Sequence, residues 1–146
     1  MGTNSSRMTV ATHTLTWMAH VCPRRPDGIV TSDQIADSVN TNPVVIRRTL
    51  GHLRDAGLVE SRRGVGAGWR LTRDPQTITL KDVYLAVEPE PLLALHAATP
   101  NQKCPIGTGI PPVLRDTYDR AEESMKRELA TVTIADVLRD TLTSPS

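Results

Sequence analysis

A chain of 146 residues suits one compact domain, or one domain that carries an extension. Hydrophobic residues make up 38% of it and phenylalanine is absent, so aliphatic side chains must fill a core of modest size. Two cysteines are too few for a disulfide framework, which favours a cytoplasmic protein, and no apolar run is long enough to cross a membrane. The net charge of +1 excludes neither acidic nor basic partners.

The arginines are concentrated in one part of the chain. Residues 42–73 contain seven arginines and only two acids, Asp55 and Glu60, which gives a local charge of +5. Because the whole chain carries +1, the remainder carries −4. A cationic segment inside a mildly acidic chain is typical of a surface that binds phosphate groups.

Three helices are predicted in the first part of the chain. Apolar residues at three- and four-residue steps predict a helix over residues 8–22, with Cys22 on its buried side. Thr31 and Gln34 have the spacing of a capping box and open a second, short helix. Asn42 followed by Pro43 is a strong start signal for the third helix.

The third helix has one apolar side and ends at Gly57, a residue that readily adopts the left-handed conformation of a helix end. Two short helices joined by a tight polar turn, the second of them basic, form the outline of a helix-turn-helix. The apolar side of the third helix consists of Ile46, Leu50 and Leu53.

A β-hairpin follows the helix-turn-helix. Residues 58–61 and 69–71 alternate as strands do, and the segment between them is rich in glycine and contains Arg62 and Arg63. This pattern predicts an arginine-bearing wing beside the helix-turn-helix.

The remaining chain is predicted to be helical with a long interruption. Thr79 and Asp82 cap a helix that runs to about Val87, and a final short helix opens at Thr133. The expected fold is therefore mainly α with a small β-hairpin: a winged helix-turn-helix domain over 7–87, an ordered loop over 88–112 that holds about one helical turn and is a candidate sensory segment, and a dimerisation helix with a C-terminal helix over 113–142.

The predicted long helix, from Val113 to about Thr131, is charged on one side and has a narrow apolar stripe on the other. A stripe of this width is typical of a coiled-coil seam rather than of a domain core, so a homodimer is expected. The predicted seam consists of Leu114, Tyr118, Ala121, Met125 and Leu129.

The exposed side of the third helix and the wing carry the residue types that contact DNA. Arg47 and Arg48 are able to donate two hydrogen bonds each to guanine, and Gly51 lets the backbone approach closely. Any one of these arginines alone would suit an ordinary solvated helix, but motif and charge together favour double-stranded DNA as the partner. The predicted DNA-binding residues are Asn42, Val44, Arg47, Arg48, Gly51, His52, Arg62 and Arg63.

The segment 42–71, NPVVIRRTLGHLRDAGLVESRRGVGAGWRL, followed by ITLKDVYLAVE at 78–88, resembles the Rrf2 family of bacterial winged-helix regulators, which includes IscR, NsrR and CymR. The resemblance extends from Met8 to about Leu138. It implies a homodimeric transcription factor, usually a repressor, that binds a palindromic operator. It also implies that the long helix pairs across the two-fold axis and that Arg63 enters the minor groove.

Cluster-binding members of that family carry three closely spaced cysteines before the long helix, and this chain has only Cys104 there. Iron–sulfur clusters need several thiolate or imidazole ligands, so no cluster, metal or other cofactor is expected. Cys104 is either a structural residue or a redox-sensing thiol.

Two other functions are weighed against DNA binding. A thiol-dependent enzyme would have to use His96 with Cys104, without an obvious orienting group, so no enzyme is expected. A winged helix that binds only proteins would have no need of so much clustered arginine.

Overall fold

The computed structural model describes residues 5–144 and confirms the predicted fold class, a mainly helical protein with one β-hairpin. Its elements are helices α1 (Arg7–Val21), α2 (Ser32–Val39), α3 (Pro43–Asp55), α4 (Leu80–Val87), α5 (Pro105–Leu129) and α6 (Ile134–Thr143), with strands β1 (Val59–Arg62) and β2 (Gly68–Leu71). Single 3₁₀ turns lie at Cys22–Arg24 and Pro75–Thr77.

Helix α1 lies at the centre of the core and packs against α2, α3, α4 and α6. Its apolar residues recur at helical spacing, so Ala11, Leu15 and Met18 are completely buried on one side. Cys22 extends this buried side, as the sequence predicted. The side chains packed around them are aliphatic: Val30, Ile35, Ile46, Leu50, Leu53, Leu58, Val59, Ile78, Val83, Val87 and Ile134.

The start of α2 and the turn to α3 follow the sequence signals closely. The backbone N–H of Gln34 donates to Thr31 Oγ1 at 3.2 Å, and the backbone N–H of Thr31 donates to Gln34 Oε1 at 3.1 Å. These two bonds form a complete capping box. Asn40 ends α2 in the left-handed conformation with φ 61°. Asn42 then caps α3, since its Oδ1 accepts from the Val44 N–H at 2.8 Å.

The end of α3 sets the direction of the hairpin. The Leu58 N–H donates to the Leu53 carbonyl at 2.9 Å, and the Gly57 N–H donates to the Arg54 carbonyl at 2.9 Å. These two bonds form a Schellman motif, which requires the positive φ of 79° that Gly57 adopts. Leu58 and Val59 are consequently turned into the core, and β1 leaves the end of α3 at a fixed angle.

The two strands are antiparallel, with Val59 opposite Leu71 and Arg62 opposite Gly68. The base of the hairpin is joined to the segment before α2, because Val30 and Trp69 exchange backbone hydrogen bonds of 3.0 and 2.7 Å. A Cβ at Gly68 would lie 2.5 Å from the Val30 carbonyl oxygen, so only glycine permits this approach.

Helix α5 begins at Pro105, so the prediction of a loop to residue 112 and a helix from Val113 was wrong. Pro105 is the first helical residue, where a missing N–H costs nothing, whereas Pro111 and Pro112 each remove one helical hydrogen bond and therefore normally indicate a break in a helix. Thr108 secures the first turn, since its hydroxyl donates to the Gln102 and Cys104 carbonyls at 3.0 and 3.1 Å. Within residues 5–144, no helix is long and apolar enough to span a membrane.

Helix α6 returns the chain to the winged-helix core. The Leu80 N–H donates to the Val132 carbonyl at 2.9 Å, and the Ile134 N–H donates to the Ile78 carbonyl at 2.8 Å. Ile134 is completely buried and α6 packs along α1. The start of α6 is therefore fixed to the start of α4, and the C-terminal end of α5 is held close to the core.

Candidate nucleic-acid interface

Helix α3 separates its side chains cleanly into two faces. Ile46, Leu50 and Leu53 are completely buried against the core. The opposite face is exposed and carries Val44, Arg47, Arg48 and His52, with the half-buried Gly51 among them. The fold thus supports α3 from one side only and leaves the predicted recognition face free.

Within residues 5–144, no contact requires residue 51 to be glycine. A Cβ built there would meet only the Arg54 guanidinium, at an ordinary contact distance of 4.0 Å. Glycine in the middle of a helix costs about 0.5–1 kcal/mol relative to alanine. No contact within residues 5–144 compensates for this loss of stability. A glycine here therefore suits a position that another molecule approaches closely.

Four arginines on α3 and the wing are exposed. Among residues 5–144, Arg47, Arg48, Arg62 and Arg63 form neither an ion pair nor a side-chain hydrogen bond. Several arginines elsewhere are instead paired with acids: Arg70 with Glu60, Arg73 with Asp82, Arg120 with Asp116, and Arg139 with Asp136 and Asp140.

The wing and α3 border one groove. Its lining includes Arg54 from α3, Arg62 and Arg63 from the wing, and Thr31 and Ser32 at the start of α2. The wing tip carries a fully exposed Val65, with Gly64 and Gly66 on either side at positive φ.

The predicted DNA-binding residues did not include Arg54, which flanks the recognition face, or Thr31, Ser32 and Val65. Arg54 lies in the same basic segment as the predicted contacts, and that was the available signal. Thr31 and Ser32 carry no charge, and only the folded chain brings them to the groove. Asn42 is exposed, as a contact residue must be, but its side-chain oxygen already caps α3. Its role toward DNA stays a prediction.

The predicted dimer seam lies on a helix without a buried residue. Along the 25 residues of α5, Leu114, Tyr118, Met125 and Leu129 are half-buried and Ala121 is exposed. Part of this stripe is shared with the chain's own segment at Pro91–Leu93, which lies beside Tyr118 and Met125.

One side-chain hydrogen bond joins the stripe's edge to the winged-helix core: the Tyr84 hydroxyl donates to Glu122 Oε1 at 2.9 Å. Burial and this carboxylate raise the pKa of Tyr84 to about 12. The phenol therefore stays protonated over the physiological pH range and keeps its donor for Glu122.

The two cysteines occupy opposite environments. Burial raises the pKa of the Cys22 thiol, which lies in the core. Cys104 precedes the first residue of α5, where the backbone N–H groups of Gly107 and Ile106 lower the pKa of its thiol. The shift favours the thiolate, as a redox-sensing thiol requires, and its cause is the start of the helix rather than the neighbouring Lys103.

Known proteins share both the sequence and the fold. The chain is 42% identical over 135 residues to YwnA of Bacillus subtilis, described as an HTH-type transcriptional regulator, across 92% of this chain and 96% of that protein. A crystal structure described as that of a DNA-binding protein matches with a TM-score of 0.71 and 36% identity, over 91% of this chain and 99% of the other.

A transcriptional regulator from Lactobacillus plantarum, at 23% identity, matches in fold with a TM-score of 0.78, over 94% of this chain and 91% of that one. The model of the Rrf2 family, described as iron-dependent transcriptional regulators, matches residues 4–140.

The word iron in that description requires a test of the ligands in this chain. No three His, Cys, Asp or Glu side chains come together in a metal-binding arrangement within residues 5–144. Cys22 is enclosed in the core and Cys104 lies at the start of α5, so the two thiols belong to different parts of the molecule. Such a set does not fit an iron–sulfur cluster within one chain.

The relatives are described as transcriptional regulators rather than as enzymes. The family model covers nearly the whole chain, and the solved structures reproduce its winged-helix architecture. The chain therefore belongs to the Rrf2 family of transcriptional regulators.

Proposed function

We propose that two copies of this chain bind one palindromic double-stranded DNA operator and repress transcription where that operator overlaps a promoter. DNA contact lies within the winged-helix unit over 7–87, and α5 supplies the pairing of the two copies. The protein acts in the cytoplasm and without an iron–sulfur cluster. DNA as partner and two free thiols support this location.

The observation that carries the proposal is the set of four unpaired arginines on α3 and the wing. Phosphates and base edges are acceptors, and a guanidinium that already holds a carboxylate has fewer donors for them. Arg47 and Arg48 lie on the exposed face of α3, and Arg62 and Arg63 lie beyond it on the hairpin. The four arginines expected to meet DNA thus keep their donors free within residues 5–144.

The shape of each element assigns it a groove. A helix fits the major groove, where Arg47 and Arg48 donate to guanine O6 and N7 and Val44 contacts a thymine methyl group. His52, on the same exposed side, lies near the DNA backbone. The narrow wing reaches the adjacent minor groove, whose negative potential is strongest in A·T-rich DNA and attracts Arg62 and Arg63.

Helix α5 supports a homodimer. A helix of 25 residues is about 37 Å long, and none of its side chains is buried within one chain. Its stripe from Leu114 to Leu129 needs a second apolar surface, and a two-fold related copy offers an identical stripe. Two recognition helices related in this way read half-sites about 34–36 Å apart.

The test is a binding series on a duplex selected by the wild-type protein. Arg47→Ala is expected to cost about 1–3 kcal/mol and to relax the base preference at one position of each half-site. Arg63→Ala is expected to weaken binding mainly where the flanking sequence is A·T-rich. Arg120→Ala removes the same charge from an exposed, paired arginine on α5 and serves as the matched control with unchanged affinity.

Equal losses for Arg47→Ala, Arg63→Ala and Arg120→Ala would contradict this interface and leave only a general charge effect. Absence of DNA binding even at low salt would favour a winged helix that binds proteins instead, because phosphate contacts are strongest there.

Redox control through Cys104 is a second function that one observation favours. The amide groups of Gly107 and Ile106 stabilise the thiolate, which is the form that oxidants attack. Mild peroxide is expected to weaken operator binding by the wild type but not by Cys104→Ser. An equal response of both proteins would exclude Cys104 as the sensor.

A further inference from the structure

Arg54 lies between the recognition face and the wing. Its guanidinium carbon is 6.0 Å from the centre of the Trp69 ring on β2. One of its terminal nitrogens lies 4.0 Å from the position of a Cβ on Gly51, at the edge of the exposed face of α3. The side chain is 51% exposed, and its ion pair with the adjacent Asp55 is long, at 3.5 Å.

Trp69 holds the base of the wing. Its backbone exchanges two hydrogen bonds with Val30, at 3.0 and 2.7 Å, and it stands opposite Ser61 on β1. The half-buried ring packs against the core on one side and lies beside Arg54 on the other. The hairpin is thus fixed by its backbone to the segment before α2, and Arg54 adds a side-chain contact from α3.

We propose that Arg54 is a positioning residue that, in addition to the backbone bonds at Gly57 and Val30, holds the wing in its orientation to α3 through its guanidinium on Trp69, so that both elements engage one DNA duplex. This inference rests on the proposed DNA binding. Arginine suits such a role because its planar group stacks on an aromatic ring and still keeps donors at its edge.

The proposal separates Arg54 from the four unpaired arginines. Those four are exposed and have no polar partner among residues 5–144, whereas Arg54 contacts Asp55 and Trp69. A residue that acts through the wing must lose its effect when the wing no longer contacts DNA. A residue that contacts a phosphate directly keeps its effect in either case.

The experiment is a double-mutant cycle between Arg54→Ala and the wing variant Arg62→Ala/Arg63→Ala, on the duplex selected by the wild type. Affinity is measured over a range of salt, starting at low ionic strength so that the weakened variants still bind. Thermal melting verifies that each variant is folded, and Arg120→Ala is the control for loss of one exposed positive charge.

In the otherwise wild-type protein, Arg54→Ala is expected to lower affinity about two- to fivefold. In the wing variant it is expected to change neither the affinity nor its salt dependence. The same loss in both backgrounds, with the salt slope reduced by about one, would overturn the positioning role and identify a phosphate contact. Unchanged affinity in the wild-type background would overturn it as well.

A wild-type protein that binds no duplex would refute the proposed DNA binding itself, and this inference with it. Additive losses refute only the role of Arg54.

Discussion

Helices α3 and α5 are both amphipathic, but within one chain the apolar face of α3 is buried and that of α5 is not. Four of the 13 residues of α3 are buried, and its apolar side is packed against the core. None of the 25 residues of α5 is buried, although it carries an apolar stripe of similar regularity. Both helices are exposed on their charged faces, so the difference lies in what their apolar faces contact.

This difference separates the two tasks of the molecule. The core packs against the apolar face of α3 and holds the helix rigid. Its opposite, polar face is exposed, and the arginines there have free donors for the proposed DNA contact. The stripe of α5 remains partly exposed, which is where the proposed function places a second copy of the chain. In that proposal α3 recognises a polar partner, and α5 is paired with an apolar surface.

The largest expected effect is loss of the core contact of α3. Leu50→Ala removes a completely buried side chain and should lower the free energy of unfolding by about 2–5 kcal/mol, because a cavity remains. Denaturant unfolding measures this change, which should be the same at high and low protein concentration. Leu114→Ala on α5 is the matched substitution, and its effect should vanish on dilution below the dimer dissociation constant. A concentration-independent effect at Leu114 would break the comparison.

A charge in the stripe of α5 should separate the two copies. Tyr118→Asp should raise the dimer dissociation constant by roughly 100-fold or more, since an unpaired carboxylate in a desolvated seam costs several kcal/mol. Sedimentation velocity reads the change directly. Ser124→Asp adds the same charge beside Arg120 and Arg127 and should leave the dimer intact. A Tyr118→Asp protein that sediments like the wild type would place the dimer contact elsewhere.

Gly51→Ala tests whether the exposed face of α3 approaches DNA closely. The added methyl group has room within the chain and should raise the free energy of unfolding by about 0.5–1 kcal/mol. It should nevertheless weaken DNA binding, because the methyl group projects into the space where DNA approaches.

Gly109→Ala provides the control for Gly51→Ala, since Gly109 is a helical glycine on α5 with open space around it. It should stabilise the fold by a similar amount and leave DNA affinity unchanged. If Gly51→Ala also leaves affinity unchanged, DNA does not come close to α3 at this point.

The smallest expected effect concerns the start of α5. The lowered pKa of the Cys104 thiol means that its thiolate is present at lower pH than that of an ordinary cysteine, whereas the raised pKa of Cys22 delays ionisation. Iodoacetamide should therefore label Cys104 first, with a pH profile shifted to lower pH than that of free cysteine. Mass spectrometry of the labelled peptides measures both sites. Faster labelling of Cys22 would show that the core opens more readily than its burial implies.

Local signals predicted the DNA-facing half of the molecule well. The capping box at Thr31 and the Asn42–Pro43 start are both formed as the sequence indicated, because such caps depend on residues within one helical turn. The buried stripe of α3 was predicted for the same reason, since helical periodicity is a local property.

The remaining features depend on residues far apart in the chain. The start of α5 was placed too late because Pro111 and Pro112 signal a break, whereas the helix continues through both prolines. The bonds between Thr79 and Thr133 segments bring α6 back to the core, and the Arg54–Trp69 contact joins α3 to the wing. Neither contact has a pattern in the sequence that periodicity or capping rules detect.

Selection of bound fragments from sheared genomic DNA, with reduced and purified protein, tests the central claim most directly. The account predicts enrichment of a palindromic site whose half-sites lie about 10 base pairs apart, and loss of that enrichment in Arg47→Ala/Arg63→Ala but not in Arg120→Ala. Fragments without a shared sequence, or equal enrichment by all three proteins, would contradict specific recognition through α3 and the wing.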